Sequence, residues 1–152
     1  MIRIQEPPFV AGAELEALKA GRSDIGGVVV FVGTVRDMSG AANVSAMTLE
    51  HYPGMTEKAL EEIDAEANRR WPLEDSLVIH RHGRLMPGED IVLVITASAH
   101  RDAAFDACRF LIDWLKTKAP FWKVEEDGTS ARWVEAKGSD DHAAQRWEKD
   151  TS

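Results

Sequence analysis

Apolar positions along this chain fall into helical and strand-like spacings that alternate from end to end. In "GAELEALKAG" (12–21) they recur at helical intervals and stop at Gly21, predicting a brief helix. "GGVVVFVGTVR" (26–36) is a continuous β-branched and aromatic run, predicting a buried strand interrupted at Gly33. "VSAMTLEHY" (44–52) predicts a second strand, joined to the first through "DMSGAAN" as a hairpin with a longer loop. From Thr56, the expected N-cap, Leu60, Ile63, Ala67 and Trp71 share one face of a long helix that Pro72 stops. "SLVIHRHG" and "DIVLVITAS" predict two strands flanking a turn at "LMPGED", and a second long helix runs from about Arg101 to Lys118. Pro120 ends it, because the residue before a proline avoids helical geometry. "FWKVEE" and "ARWVEA" form a final hairpin around Asp127-Gly128, and the polar tail from Gly138 reads as a marginal helix anchored by Trp147. The order is roughly ββαββαββ: one α+β domain with mostly antiparallel strands and two long helices.

Composition narrows the function. Among 152 residues, 26 acidic against 18 basic side chains leave a formal charge of −8, which repels nucleic acid and anionic lipid. The start, "MIRIQEPPFV", lacks the basic and apolar regions of a secretory leader, and no apolar run is long enough to span a bilayer. The expected location is the cytoplasm. Cys108 is the single cysteine, excluding an intramolecular disulfide and a cysteine metal cluster. It recurs with Phe105, Ile112 and Leu115 at helical spacing, so a buried small hydrophobe is expected rather than a nucleophile.

Against that acidic background the cations gather in particular places. On a helical wheel Lys116 falls beside Phe105 and Ile112, at the border of the apolar stripe, rather than amid Asp102, Asp106 and Asp113. If "FWKVEE" is a strand, Lys123 shares a face with Phe121 and Glu125, while Trp122 and Val124 point the other way. Lys116 suits a cation complementing the carbonyl end of its helix with its stem along apolar surface, and Lys123 a surface ion pair with Glu125. The alternative is that the two lysines form a cationic pocket for an anionic substrate, each lowering the other's pKa. His100 and Arg101 open the second long helix, where free N–H groups favour a phosphate or carboxylate. Arg36 closes "FVGTVR", where Gly33 would let a ligand or another backbone approach. His80 and His82 share a strand face as two metal ligands would, but no third ligand accompanies them.

Taken together, "FVGTVRD", "TLEHYPGMTEKALEEI", "RRWPL", "VIHRHGRLMPGE", "SAHRDAAFDAC", "DWLKTKAPFWKVE" and "RWVEA" resemble, in order, the catalytic large subunit family of molybdopterin synthase. The resemblance covers about residues 26–136 and implies an α/β-hammerhead fold, with a catalytic domain over 1–137 and a polar tail over 138–152. It implies a sulfurtransferase of molybdenum cofactor biosynthesis that turns cyclic pyranopterin monophosphate into molybdopterin. No cofactor or metal is called for. The two sulfurs come from the thiocarboxylated Gly-Gly C-terminus of a small ubiquitin-like subunit, in a heterotetramer built on a large-subunit homodimer. Lys116 and Lys123 are the functional lysines by this resemblance. Thr34, Val35 and Arg36, His100 and Arg101, and Lys123, Val124 and Glu125 match substrate-binding segments.

Arg101 and Lys116 lie 15 positions apart, about 22 Å along a straight helix, so one small pterin does not reach both. A dimer in which His100 and Arg101 cross to the partner's lysines resolves the span. Arg132 and Lys137 read as ordinary surface charge, the alternative being a further cation supplied from the neighbouring subunit. Without the resemblance, the alternatives are a ferredoxin-like module binding a phosphorylated metabolite and a scaffold gripping a partner's C-terminal tail.

Overall fold

The computed structural model describes residues 1–36, 38–39, 42–43, 46–126, 131–134 and 145–148, with backbone alone at 38–39, 42–43, 125–126 and 131–134. Two four-stranded sheets and three helices make up the α+β fold, in the order β1 (Ile2–Gln5), α1 (Ala11–Lys19), β2 (Gly27–Thr34), β3 (Met38–Ser39), β4 (Ala42–Asn43), β5 (Ala46–His51), α2 (Met55–Arg70), β6 (Leu73–Arg81), β7 (Gly83–Leu85), β8 (Asp90–Ser98), α3 (Arg101–Lys118), β9 (Phe121–Glu126) and β10 (Ala131–Val134). The first sheet runs β1-β6-β8-β2, antiparallel except for the parallel β1–β6 pair. The second runs β10-β9-β5-β7, antiparallel throughout, and β3 and β4 form a separate ribbon.

Both faces of the first sheet are covered, which is why its strands read as unbroken apolar runs. Val78 and Val94 pack against Leu60, Ile63 and Ala67 of α2 and Phe110 and Leu111 of α3. Their neighbours Leu77, Ile79, Leu93 and Ile95 point the other way, onto Phe9 and the partly buried Leu15 and Leu18 of α1. A third cluster, Val35, Met47, Leu49 and Leu85, lies on the second sheet. Phe121 packs against both the helix-side cluster and this one. That ring therefore links the two sheets at the point where α3 hands over to β9.

Several expectations change. The predicted hairpin between 26–36 and 44–52 does not form: β2 pairs with β8, while β5 pairs with β7 and β9. A continuous apolar run specifies burial on both faces but not the neighbouring strand, and here the chain crosses from one sheet to the other. At Gly33 the strand continues to Thr34, and of the two approaches weighed there a neighbouring strand is the one observed. A Cβ there would meet Val92 Cγ1 at 2.6 Å, and the β2–β8 register shifts just after it, so the glycine accommodates a neighbouring strand at an irregularity. Thr56 is not the cap of α2. Gly54, at φ 89°, takes that place, and the Glu57 carboxylate accepts its N–H. Asp113, grouped with Asp102 and Asp106 away from the apolar stripe, is instead buried and accepts a hydrogen bond from Trp147 Nε1 at 2.7 Å. The strands β1, β3, β4 and β7 are too short for their patterns to register in the sequence.

Other expectations hold. α3 spans Arg101–Lys118, α1 ends just before Gly21 at φ 71°, and β9 pairs with β10. The expected turn at Asp127-Gly128 lies outside the described residues, as do Lys137 and the side chain of Arg132. Trp147 does anchor the tail, meeting Trp71 edge-on with ring centroids 5.5 Å apart, while Arg70 Nη1 donates to its carbonyl at 2.8 Å.

Candidate functional site

The site begins with the handover from α3 to β9. Pro120 breaks the helix, and Phe121, Lys123 and Glu125 fall in register with His51, Leu49 and Met47 of β5. Met47 and Leu49 are buried, so this register places Lys123 on the core-facing side of the second sheet. Lys123 is nevertheless exposed. A charge on the apolar side of a strand that still reaches water lies at an edge of the core. The opposite face carries Trp122, whose Nε1 donates to Glu50 Oε2 at 3.0 Å and whose ring lies 4.5 Å from Tyr52. The alternation expected for "FWKVEE" therefore holds.

Lys116, exposed on the last turn of α3, shares an electrostatic neighbourhood with Lys123, because both depress the pKa of His80. His80 stands on β6, its ring stacked on Phe121 with centroids 3.8 Å apart and planes 15° from parallel. Burial, then the positive fields of Lys123, Lys116 and His51, push it down to about 4. His51 lies on the other flank, 5.9 Å from Phe121 and 4.6 Å from His82. Lys118, two residues beyond Lys116, places its ammonium 4.7 Å from the centroid of Trp114, a cation–π contact. Thus Lys116 rather than Lys118 accompanies Lys123.

Thr34 and Arg36 are exposed, flanking the buried Val35. Val35 is fastened to the turn before β8 by its own N–H to the Glu89 carbonyl at 2.9 Å and by Gly88 N–H to its carbonyl at 2.7 Å. Its apolar cluster includes Phe121 at the margin, so the "TVR" segment adjoins the start of β9. Val124 is half-buried, paired in register with Thr48 and Trp133. Glu125 has the register of Met47, and its side chain is outside the described residues.

His100 and Arg101 are elsewhere, at the opposite end of the same 18-residue helix. His100 is the N-cap, and with Gly26, Ala99, Arg101 and Asp102 it lines a shallow hollow. Gly26 has a steric reason to be glycine: a Cβ would lie 1.9 Å from the Ala99 carbonyl oxygen, and its N–H donates to the Ser98 carbonyl at 2.9 Å. Within one chain the lysine pair and this pair are not brought together.

Cys108 is buried, its thiol pushed up to about 11 by desolvation. It does not supply a thiolate near neutral pH. Of the two histidines weighed as metal ligands, His80 uses Nδ1 toward the Arg81 carbonyl at 2.9 Å, and His82 packs on His51. The reading from sequence did not find the His80–Phe121 stack, whose members lie far apart in the chain; "HRH" beside an aromatic that follows a helix stop was the available signal.

Known proteins bear directly on this arrangement. The family model described as "MoaE protein" matches residues 4–118. The molybdopterin synthase catalytic subunit of Pseudomonas aeruginosa is 59% identical over 148 residues, covering 97% of this chain and 99% of that protein. Among solved structures, the molybdopterin biosynthesis MoaE protein from Burkholderia ambifaria superposes with a TM-score of 0.83 at 54% identity, covering 97% of each chain. Molybdopterin synthase from Staphylococcus aureus superposes with a TM-score of 0.80 at 30% identity, over 88% of this chain and 96% of that one. With a family match over most of its length and identities of this size, the chain belongs to the molybdopterin synthase catalytic subunit family, whose members are sulfur-transferring enzymes of molybdenum cofactor biosynthesis.

Proposed function

We propose that this chain converts cyclic pyranopterin monophosphate into molybdopterin, taking both sulfurs of the dithiolene from the C-terminal thiocarboxylate of a small ubiquitin-like subunit. The observation that carries the reading is the pairing of Lys116 with Lys123 around the His80–Phe121 stack, two cations at an edge of the core in an otherwise acidic protein. A cationic edge attracts both a phosphate-bearing pterin and a partner's terminal thiocarboxylate. The buried, high-pKa Cys108 supports the same reading, since sulfur then has to arrive on another chain.

Within this reading Lys116 transfers protons or stabilises the oxyanion formed as thiocarboxylate sulfur attacks the pterin side chain. Lys123 orients the substrate and balances its charge. Thr34, Val35 and Arg36 adjoin the same pocket, Glu125 belongs to the Lys123 face of β9, and Val124, whose side chain faces the other way, contributes through its backbone. His100 and Arg101 serve it from the second copy of a homodimer, because one continuous helix separates Arg101 from Lys116 by about 22 Å. The assembly is a heterotetramer in the cytoplasm, with residues 1–137 as the catalytic domain and 138–152 as its tail. No helix among the described residues is long and apolar enough to cross a membrane.

The test combines the purified protein with thiocarboxylated small subunit and cyclic pyranopterin monophosphate, with dithiolene product followed by mass spectrometry. The native chain should yield product. Lys116→Ala should abolish it while still forming the complex with the small subunit, and near-normal turnover would remove Lys116 from its role.

A further inference from the structure

His80 has a feature the lysine chemistry alone does not use. Its Nδ1 lies 2.9 Å from the Arg81 carbonyl oxygen. A carbonyl only accepts, so Nδ1 carries the proton, and in the neutral ring Nε2 is left bare. Three neighbours keep the ring neutral besides burial: Lys123 on β9, Lys116 on α3 and His51 on β5. The parallel stack on Phe121 fixes the ring plane. His80 belongs to the even-numbered, helix-facing positions of β6, in line with Val78, so it looks toward the end of α3 and the start of β9.

We propose that His80 is the positioning residue for Lys123: its unprotonated Nε2, held by the Arg81 carbonyl and the Phe121 stack, accepts a hydrogen bond from the Lys123 ammonium and orients it toward the anionic substrate. Lys123 is chosen over Lys116 because it follows Phe121, the ring on which His80 stacks, by two residues on the same strand face, and its field on His80 is the larger of the two. The arrangement gives a cation a fixed direction without adding another positive charge to the pocket. This inference rests on the proposed role of Lys123 in binding substrate.

Two substitutions separate the ring's polar atom from its bulk. His80→Phe keeps an aromatic ring against Phe121 but removes the acceptor; His80→Gln keeps an acceptor near the Nε2 position and loses the stack. In the reconstituted sulfur-transfer assay, His80→Phe should raise KM for the pterin about tenfold, the worth of one hydrogen bond to a charged group, with kcat little changed. His80→Gln should recover most of that loss. In a Lys123→Met background, His80→Phe should add nothing, because residues acting as one unit are not additive. Equal losses in the Phe and Gln variants, or full additivity with Lys123→Met, would overturn the assignment. A second readout does not depend on turnover. The Lys123 Nζ titration midpoint, followed by NMR in the folded chain, should fall in His80→Phe and return in His80→Gln. An unchanged midpoint in His80→Phe overturns the inference even if the native chain makes no dithiolene, an outcome that would instead count against the proposed reaction.

Discussion

Thr56 illustrates how a residue type is read correctly and its task is not. Helix-start chemistry was visible at "HYPGMTEK", yet the cap is Gly54, and Thr56 is fully buried one step inside α2. Its hydroxyl accepts the Tyr52 N–H at 3.1 Å, donates to the Tyr52 carbonyl at 2.9 Å, and lies 3.2 Å from His51 Nδ1. Thr56→Val keeps the shape and strands these partners, so it should cost about 1–3 kcal/mol in denaturant unfolding. The place of Lys116 on the last turn of α3 and of Lys123 on the Phe121 face of β9 was legible from spacing alone, whereas the role proposed for them came from the family resemblance. His80 was not legible, because its meaning depends on Phe121, which only the tertiary fold brings against it.

Among the elements, α3 was readable almost to the residue, whereas the partners of β2 and β5 were not. Helical periodicity is a local property, while strand pairing is decided by which edges the helices leave uncovered. The tail belongs with the second kind of problem. Trp147 closes over Phe110, Trp71 and Asp113, and the Arg70 guanidinium beneath it lies 4.9 Å from the centroid of Phe110 and 5.3 Å from that of Trp114. Asp113 is one turn before Lys116, and its carbonyl accepts the Thr117 hydroxyl at 3.1 Å. Trp147→Ala removes the lid from this turn and should cost about 2 kcal/mol, less than a fully buried tryptophan because the ring is half-buried. Amide exchange should quicken over 113–118 while the N-terminal half of α3 keeps its protection. Uniform exchange along α3 would show that the tail does not hold this end.

For the molecule as a whole, acid sensitivity follows from the histidines. His80 is depressed to about 4 by burial first and then by Lys123, Lys116 and His51; His51 is depressed by burial and His82. Between the ordinary histidine value, about 6.5, and about 4, the unfolded chain binds the proton that folded His80 refuses. Stability therefore falls as pH falls through that window, by no more than about 3 kcal/mol for His80. The carboxylates act in the same direction at lower pH, led by Glu66, which Arg69 and then Arg70 hold down to about 2. Denaturant midpoints from pH 8 to 4 should slope downward in the native chain and less steeply in His80→Phe, where the depressed His51 still contributes. Dimer sharing of the site has its own outcome. Lys116→Ala and Arg101→Ala chains should each be inactive, and mixing them should restore activity through hybrids with one intact pocket; no recovery from verified hybrids would place all the cations in one copy.

The seclusion of Cys108 has a practical side. With its only sulfhydryl sealed in the core and poorly ionised, the chain accepts a maleimide dye or nitroxide at an introduced surface cysteine, such as Glu61→Cys on the exposed side of α2, without first deleting a native thiol. Inter-copy spacing and the arrival of a labelled small subunit then become measurable by fluorescence transfer or electron spin resonance on otherwise unaltered protein.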